Sequence, residues 1–167
     1  MHLVTFTEDG NSRLGVLDRA HGEVIDLSRA GPGLPTDMLA FIARGEPALA
    51  EARTALTSGA GRLPLAKVHL VAPIPRPGRN IFCVGKNYRD HVQELQKPGS
   101  TIASQVALPE VPIFFTKATS SVIGPNRPIP AGLDPTHSAD YEGELAVVIG
   151  PGGRAITRQD AMRHVYG

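Results

Sequence analysis

The chain has 167 residues, with 17 lysines and arginines against 16 aspartates and glutamates, a single cysteine and no tryptophan. A net charge of +1 gives no broad field that would draw in nucleic acid or an anionic membrane surface, and the lone Cys83 excludes an intrachain disulfide and a multi-thiolate zinc site. The 18 glycines and 15 prolines, about one residue in five, exceed average usage and favour turns and long loops over a helical bundle.

In chain order, residues 3–7, 13–17 and 23–27 are short β-leaning runs, separated by turn-forming clusters at 8–11 and 18–22. The first residues show no basic stretch leading into an apolar run. The period then changes. Met38, Leu39, Phe41 and Ile42 fall at helical spacing behind the candidate caps Thr36 and Asp37, and Gly45 closes that helix. A second helix has Pro47 in its first turn, Leu49, Ala52, Arg53 and Leu56 at three- and four-residue spacing, and Ser58 and Gly59 at its end. Residues 59–64 read as a linker. The expected organisation is a small domain, 1–64, of β-meander and helix pair, followed by a second domain, 65–167.

That second part opens with a short strand at 68–71 and a proline-rich run through Pro73, Pro75 and Pro77. A buried strand at 80–84 ends at Gly85. Asn87 can cap a helix over 88–95, which Pro98 and Gly99 stop. A second strand covers 111–116. Residues 118–140 carry no periodicity, and a loop of that length inside a compact domain is usually functional or disordered. Residues 142–149 read as a third, core strand, and Thr157 caps a last helix. The longest apolar runs, such as 145–149, are far shorter than the roughly 20 residues that span a bilayer, so the expectation is a soluble, cytoplasmic protein without membrane or nucleic-acid partners.

Two patterns carry chemistry. In Tyr141, Glu142, Gly143 and Glu144 a strand period of two puts both carboxylates on one face at the end of an apolar run. Unpaired like charges in a low-dielectric setting are costly, and a divalent cation relieves them; oxygen ligands select a hard ion such as Mg²⁺, Mn²⁺ or Ca²⁺. The competing reading is an exposed strand end whose glutamates meet solvent. On the helix, His91 and Glu94 are three apart and therefore neighbours, an arrangement that suits an acid–base pair near neutral pH and equally an ordinary surface pair. Lys117, after Phe114 and Phe115, is either a cation aimed at an anionic substrate or a solvated strand end. Cys83, inside an apolar strand, reads as a small core residue. The chain has no P-loop, no Gly-x-Ser-x-Gly elbow and no Gly-x-Gly-x-x-Gly.

Taken together, Ile81 to His91 with Glu94, then Pro112 to Lys117, then Tyr141 to Gly150 resemble, in order and in gaps, the fumarylacetoacetate hydrolase family. The start, with Arg13 to Leu17 and Val24 to Leu27, is similar to the small N-terminal domain of bacterial members. The resemblance implies an α+β fold in which the small domain precedes a mixed β-roll, assembled as a homodimer. It implies that Glu142 and Glu144 bind Mg²⁺ or Mn²⁺, that His91 and Glu94 form the catalytic pair on a mobile lid segment, and that Lys117, with Tyr88, meets the substrate. The implied activity is hydrolysis, decarboxylation or keto–enol isomerisation of a small 2-oxo or 1,3-dicarbonyl acid of the fumarylacetoacetate, acylpyruvate, oxaloacetate or hydroxymuconate type. The family's third carboxylate ligand, an aspartate in an Asn-Asp-x-x-x-Arg-Asp-like motif, is expected just past Gly167, so the chain reads as the first part of a longer catalytic domain. The alternative is an inactive member that serves as a fold fragment or interaction subunit.

Overall fold

The computed structural model describes residues 1–31, 33–95 and 109–167. The chain divides into two compact units, Met1–Pro75 with Ile123–Gly167, and Arg76–Val122. The arrangement is α+β, with a curled antiparallel sheet and few helices.

The expected meander forms β1 (His2–Glu8), β2 (Asn11–Asp18) and β3 (Glu23–Asp26), paired antiparallel with Leu3 opposite Val16 and Val16 opposite Ile25. Its edges are closed by β4 (Arg62–Pro64) on β3 and β5 (His69–Leu70) on β1, giving the order β4-β3-β2-β1-β5. Residues 59–64 are therefore not a linker. Three residues are too few for a period-two pattern to show in sequence, but Leu63 packs into the apolar cluster of Phe6, Val24 and Val68. Arg62 anchors the strand to Glu23 at 2.6 Å, Asp18 at 3.1 Å and the Leu56 carbonyl at 3.0 Å. Gly61 accepts the Asp26 amide at 2.8 Å, with φ +69°; an added Cβ would lie 2.7 Å from the Asp26 carbonyl oxygen, so this approach requires glycine.

β4 and β5 occupy opposite edges, yet residues 65–68 alone join them, and most of that link is a 3₁₀ turn (Leu65–Lys67). A flat sheet would set its outer strands roughly 19 Å apart, whereas a 3₁₀ turn advances only about 2 Å per residue. The sheet must curl. Val68 in the link packs with Phe6 and Val24, so these side chains fill the inside of the curl. Gly15 makes room for them, because a Cβ there would stand 2.5 Å from Val24 Cγ1 and 3.1 Å from Phe6 Cε1.

The outer face is covered by α1 (Leu27–Ala30), α2 (Met38–Arg44) and α3 (Glu46–Ser58), where Leu14, Val16 and Ile25 meet Met38, Phe41 and Ala52. Asp37 caps α2 as expected, accepting the Ala40 amide at 2.9 Å. The short α1 had no sequence signal. Its cap, Asp26, accepts from both the amide and the hydroxyl of Ser28, at 2.9 and 2.6 Å.

Beyond Ile123 the same unit is mostly irregular. The strand expected at 142–149 does not form: pairing is confined to its end, where the Val148 amide donates to the Gly167 carbonyl at 2.7 Å, the Tyr166 amide to Val148 at 2.8 Å, and the Gly150 amide to His164 at 2.8 Å. Leu145 is 82% exposed instead of buried. An apolar run becomes a core strand only where neighbouring strands and layers cover it, and among the described residues none does so for 142–147. The last expected helix also shortens. Thr157 accepts the Asp160 amide at 3.3 Å and donates to the Asp160 carboxylate at 2.7 Å, but it caps no helix: only a 3₁₀ turn (Ala161–His164) follows, with Asp160 at its N-cap and no side-chain cap bond.

In the other unit β6 (Ile81–Gly85) and β7 (Ile113–Lys117) pair antiparallel, and α4 (Arg89–Leu95) follows β6. The three elements match those expected there, but the first strand, expected to be buried, is largely exposed, because among the described residues no layer covers Ile81, Phe82 or Val84. The stop assigned to Pro98 and Gly99 lies outside the described residues. Phe82 and Phe114 share one face of this ribbon and are 69% and 65% exposed.

Candidate active site

Within Arg76–Val122, Gly85 ends β6 opposite Ile113, and Lys86 takes the left-handed conformation, φ +54°, before the chain enters α4. A non-glycine residue held there is uncommon, and Asp9, Asn126, His137 and Ala155 share the conformation. Tyr88 precedes α4, and its carbonyl accepts the Val92 amide at 3.2 Å. Val92, 1% exposed, roots the helix, and His91 beside it is half-buried with further contacts of its own. Glu94 lies one turn along α4, three residues after His91, so both positions belong to one helix face. Lys117 ends β7 opposite Ile81, exposed. Cys83 is half-buried in β6, opposite Phe115.

The Glu142 and Glu144 pair belongs to the other unit, on the exposed segment 141–147. Asp134, which sequence reasoning passed over, shapes the loop that leads to it. Its carboxylate accepts from the hydroxyl of Thr136, and from the amides of Thr136, Ser138 and Ala139, each at 2.8 Å. The Thr136 hydroxyl contributes most to holding the Asp134 carboxyl down to about 2, with the backbone amides adding to it. The signal available was the run Asp134-Pro135-Thr136 with Ser138, in which a short carboxylate precedes hydroxyl and amide donors.

Among the described residues no group of three or more histidine, cysteine, aspartate or glutamate side chains gathers as a metal cluster. Glu142 and Glu144 supply oxygen donors two residues apart, a donor set suited to a hard divalent ion. No helix among the described residues is long and apolar enough to cross a membrane.

Residues 80–167 match the model of the fumarylacetoacetate (FAA) hydrolase C-terminal family. Over its whole length the chain is 38% identical to oxaloacetate tautomerase fahd2, mitochondrial, of Xenopus laevis, covering 50% of that protein. It is 37% identical to oxaloacetate tautomerase YisK of Bacillus subtilis, over 87% of this chain and 50% of that one. A fumarylacetoacetate hydrolase from the psychrophile Exiguobacterium antarcticum superposes with a TM-score of 0.71 at 37% identity, over 99% of this chain and 52% of that chain. The chain thus spans about half the length of the curated relatives it matches. With its family match running over more than half the chain and full-length similarity alongside, this chain belongs to the fumarylacetoacetate hydrolase family.

Proposed function

We propose that the chain carries part of a metal-dependent enzyme that moves a proton on a small 2-oxo acid, with oxaloacetate keto–enol tautomerisation as the first reaction to test. The observation that carries this reading is the similarity, over the whole of this chain and half of theirs, to proteins named oxaloacetate tautomerases. The reading as a non-catalytic interaction subunit is not favoured, since the relatives are named as enzymes. In this proposal 65–167 is the first part of a catalytic domain behind the small domain 1–64, and the assembled protein is a homodimer.

Glu142 and Glu144 would hold Mg²⁺ or Mn²⁺ through their carboxylate oxygens. When bound, the ion supplies positive charge where negative charge builds on the substrate's carbonyl oxygen. His91, kept in orientation by Glu94, takes the proton from the carbon next to the carbonyl and a proton returns to the carbonyl oxygen, so the reaction is an isomerisation with no other reactant. Lys117 and Tyr88 contact the bound acid, Lys117 through its cationic side chain.

The test compares the chain with its Glu142→Ala/Glu144→Ala variant in a Mn²⁺ titration followed by water-proton relaxation, and follows the enol–keto absorbance of oxaloacetate. The double variant should lose Mn²⁺ binding, and His91→Ala should lower turnover by about 100-fold or more with Mn²⁺ affinity kept. Equal Mn²⁺ binding by chain and double variant would overturn the metal assignment; unimpaired turnover in His91→Ala would overturn the proton-transfer role.

A further inference from the structure

Tyr166 joins two parts of its unit that are far apart in sequence. Its ring packs on the outer-face core, alongside Ile42, Leu49 and Ile74. Val148 and Tyr166 line the same apolar groove of about 310 Å³ as Met38, Ile42 and Leu49, the groove between the tail and the α2–α3 pair. Through its backbone Tyr166 is bonded to Val148, which lies four residues after Glu144. The Tyr166 hydroxyl is buried without a hydrogen-bond partner among the described residues, and burial, with the Glu46 carboxylate adding to it, pushes that phenol up from its ordinary range. A tyrosine whose hydroxyl bonds to nothing is held in place by its ring.

We propose that Tyr166 is a positioning residue for the carboxylate segment: seated on the α2–α3 face, it clamps residues 148–150 and so fixes the root of the segment that bears Glu142 and Glu144. The small N-terminal fold is then a support for the metal-binding arm. The positioning of 148–150 stands on the packing and the hydrogen bonds; its link to metal binding rests on the function proposed above.

The experiment measures amide hydrogen exchange at Val148 and Gly150, against Leu14 and Val16 in the meander as internal reference, together with Mn²⁺ affinity, in the 167-residue chain and in Tyr166→Phe and Tyr166→Ala. Tyr166→Phe keeps the ring and should leave exchange and Mn²⁺ affinity as in the parent. Tyr166→Ala should speed exchange at Val148 and Gly150 at least tenfold with Leu14 and Val16 unchanged, and weaken Mn²⁺ binding several-fold. Unchanged exchange at Val148 and Gly150 in Tyr166→Ala would overturn the proposal, as would equal loss of protection at Leu14 and Val16, which would make Tyr166 a general core residue. Failure of the Glu142/Glu144 metal assignment is read separately, in the Glu142→Ala/Glu144→Ala variant, and leaves the exchange result standing.

Discussion

Arg13 places its Nη1 2.9 Å from Oδ2 of Asp26, a carboxylate with no solvent exposure. The same nitrogen reaches Glu8 at 2.6 Å, and Arg29 spans the same two acids. The hydrogen bond from Arg13 to Asp26 is the main reason the Arg13 guanidinium holds its proton even more tightly than usual. Removing Asp26 takes from Arg13 and Arg29 the buried one of the two carboxylates they share, leaving them Glu8, and it also removes the cap of α1. Asp26→Ala should therefore cost on the order of 3 kcal/mol in urea unfolding near neutral pH. Asp26→Asn, which keeps an oxygen for the Ser28 amide, should cost less.

The Asp134 loop sets a pH window. The carboxyl sits at about 2, below its ordinary 3.8. A lowered folded-state value means the ionised form favours the ordered loop, so this contribution is present above about 3.8 and is lost as pH falls through about 2. Amide resonances of Thr136, Ser138 and Ala139 should shift together with a midpoint near 2. In Asp134→Asn that transition should vanish. A midpoint near the ordinary value would mean the loop bonds do not persist in solution.

Gly15 gives a sharper test of the curled sheet. Its missing side chain is the space that Val24 and Phe6 use. Gly15→Ala should destabilise the sheet by about 1–3 kcal/mol through overpacking, despite alanine's ordinary tolerance of extended backbone. Gly10, with open space around it but φ +79°, would lose stability for a different reason, backbone strain, and outside the core. Thermal unfolding of Gly15→Ala with and without Val24→Ala separates the two causes, because the smaller neighbour should recover part of the loss.

The helix pair and the meander were legible because each follows from local pattern: caps at Asp37, a glycine stop at Gly45, turns at 8–11 and 18–22. What stayed hidden depends on partners distant in sequence. Arg62-Leu63-Pro64 becomes a strand only because β3 offers it an edge, and α1 exists because a buried Asp26 is available to cap it. Residues 142–147 show the opposite failure: their composition is that of a core strand, but composition cannot bring the neighbours that burial needs. Among the candidate residues, His91 and Glu94 were legible as positions on one helix face in one unit, and Glu142 and Glu144 as neighbouring oxygen donors in the other. Asp134 and Tyr166 were not, since their importance lies in the amides, hydroxyl and apolar seat they meet in three dimensions.

The single stretch 62–70 occupies both edges of the curled sheet, and this changes how the sheet is protected. An open meander offers two rows of unpaired backbone groups to any foreign strand. Here part of each row, at Phe6–Thr7 of β1 and Glu23–Ile25 of β3, is covered by neighbours joined through one short turn. Neither covered stretch can fray far without straining the other, so these two short pairings open together.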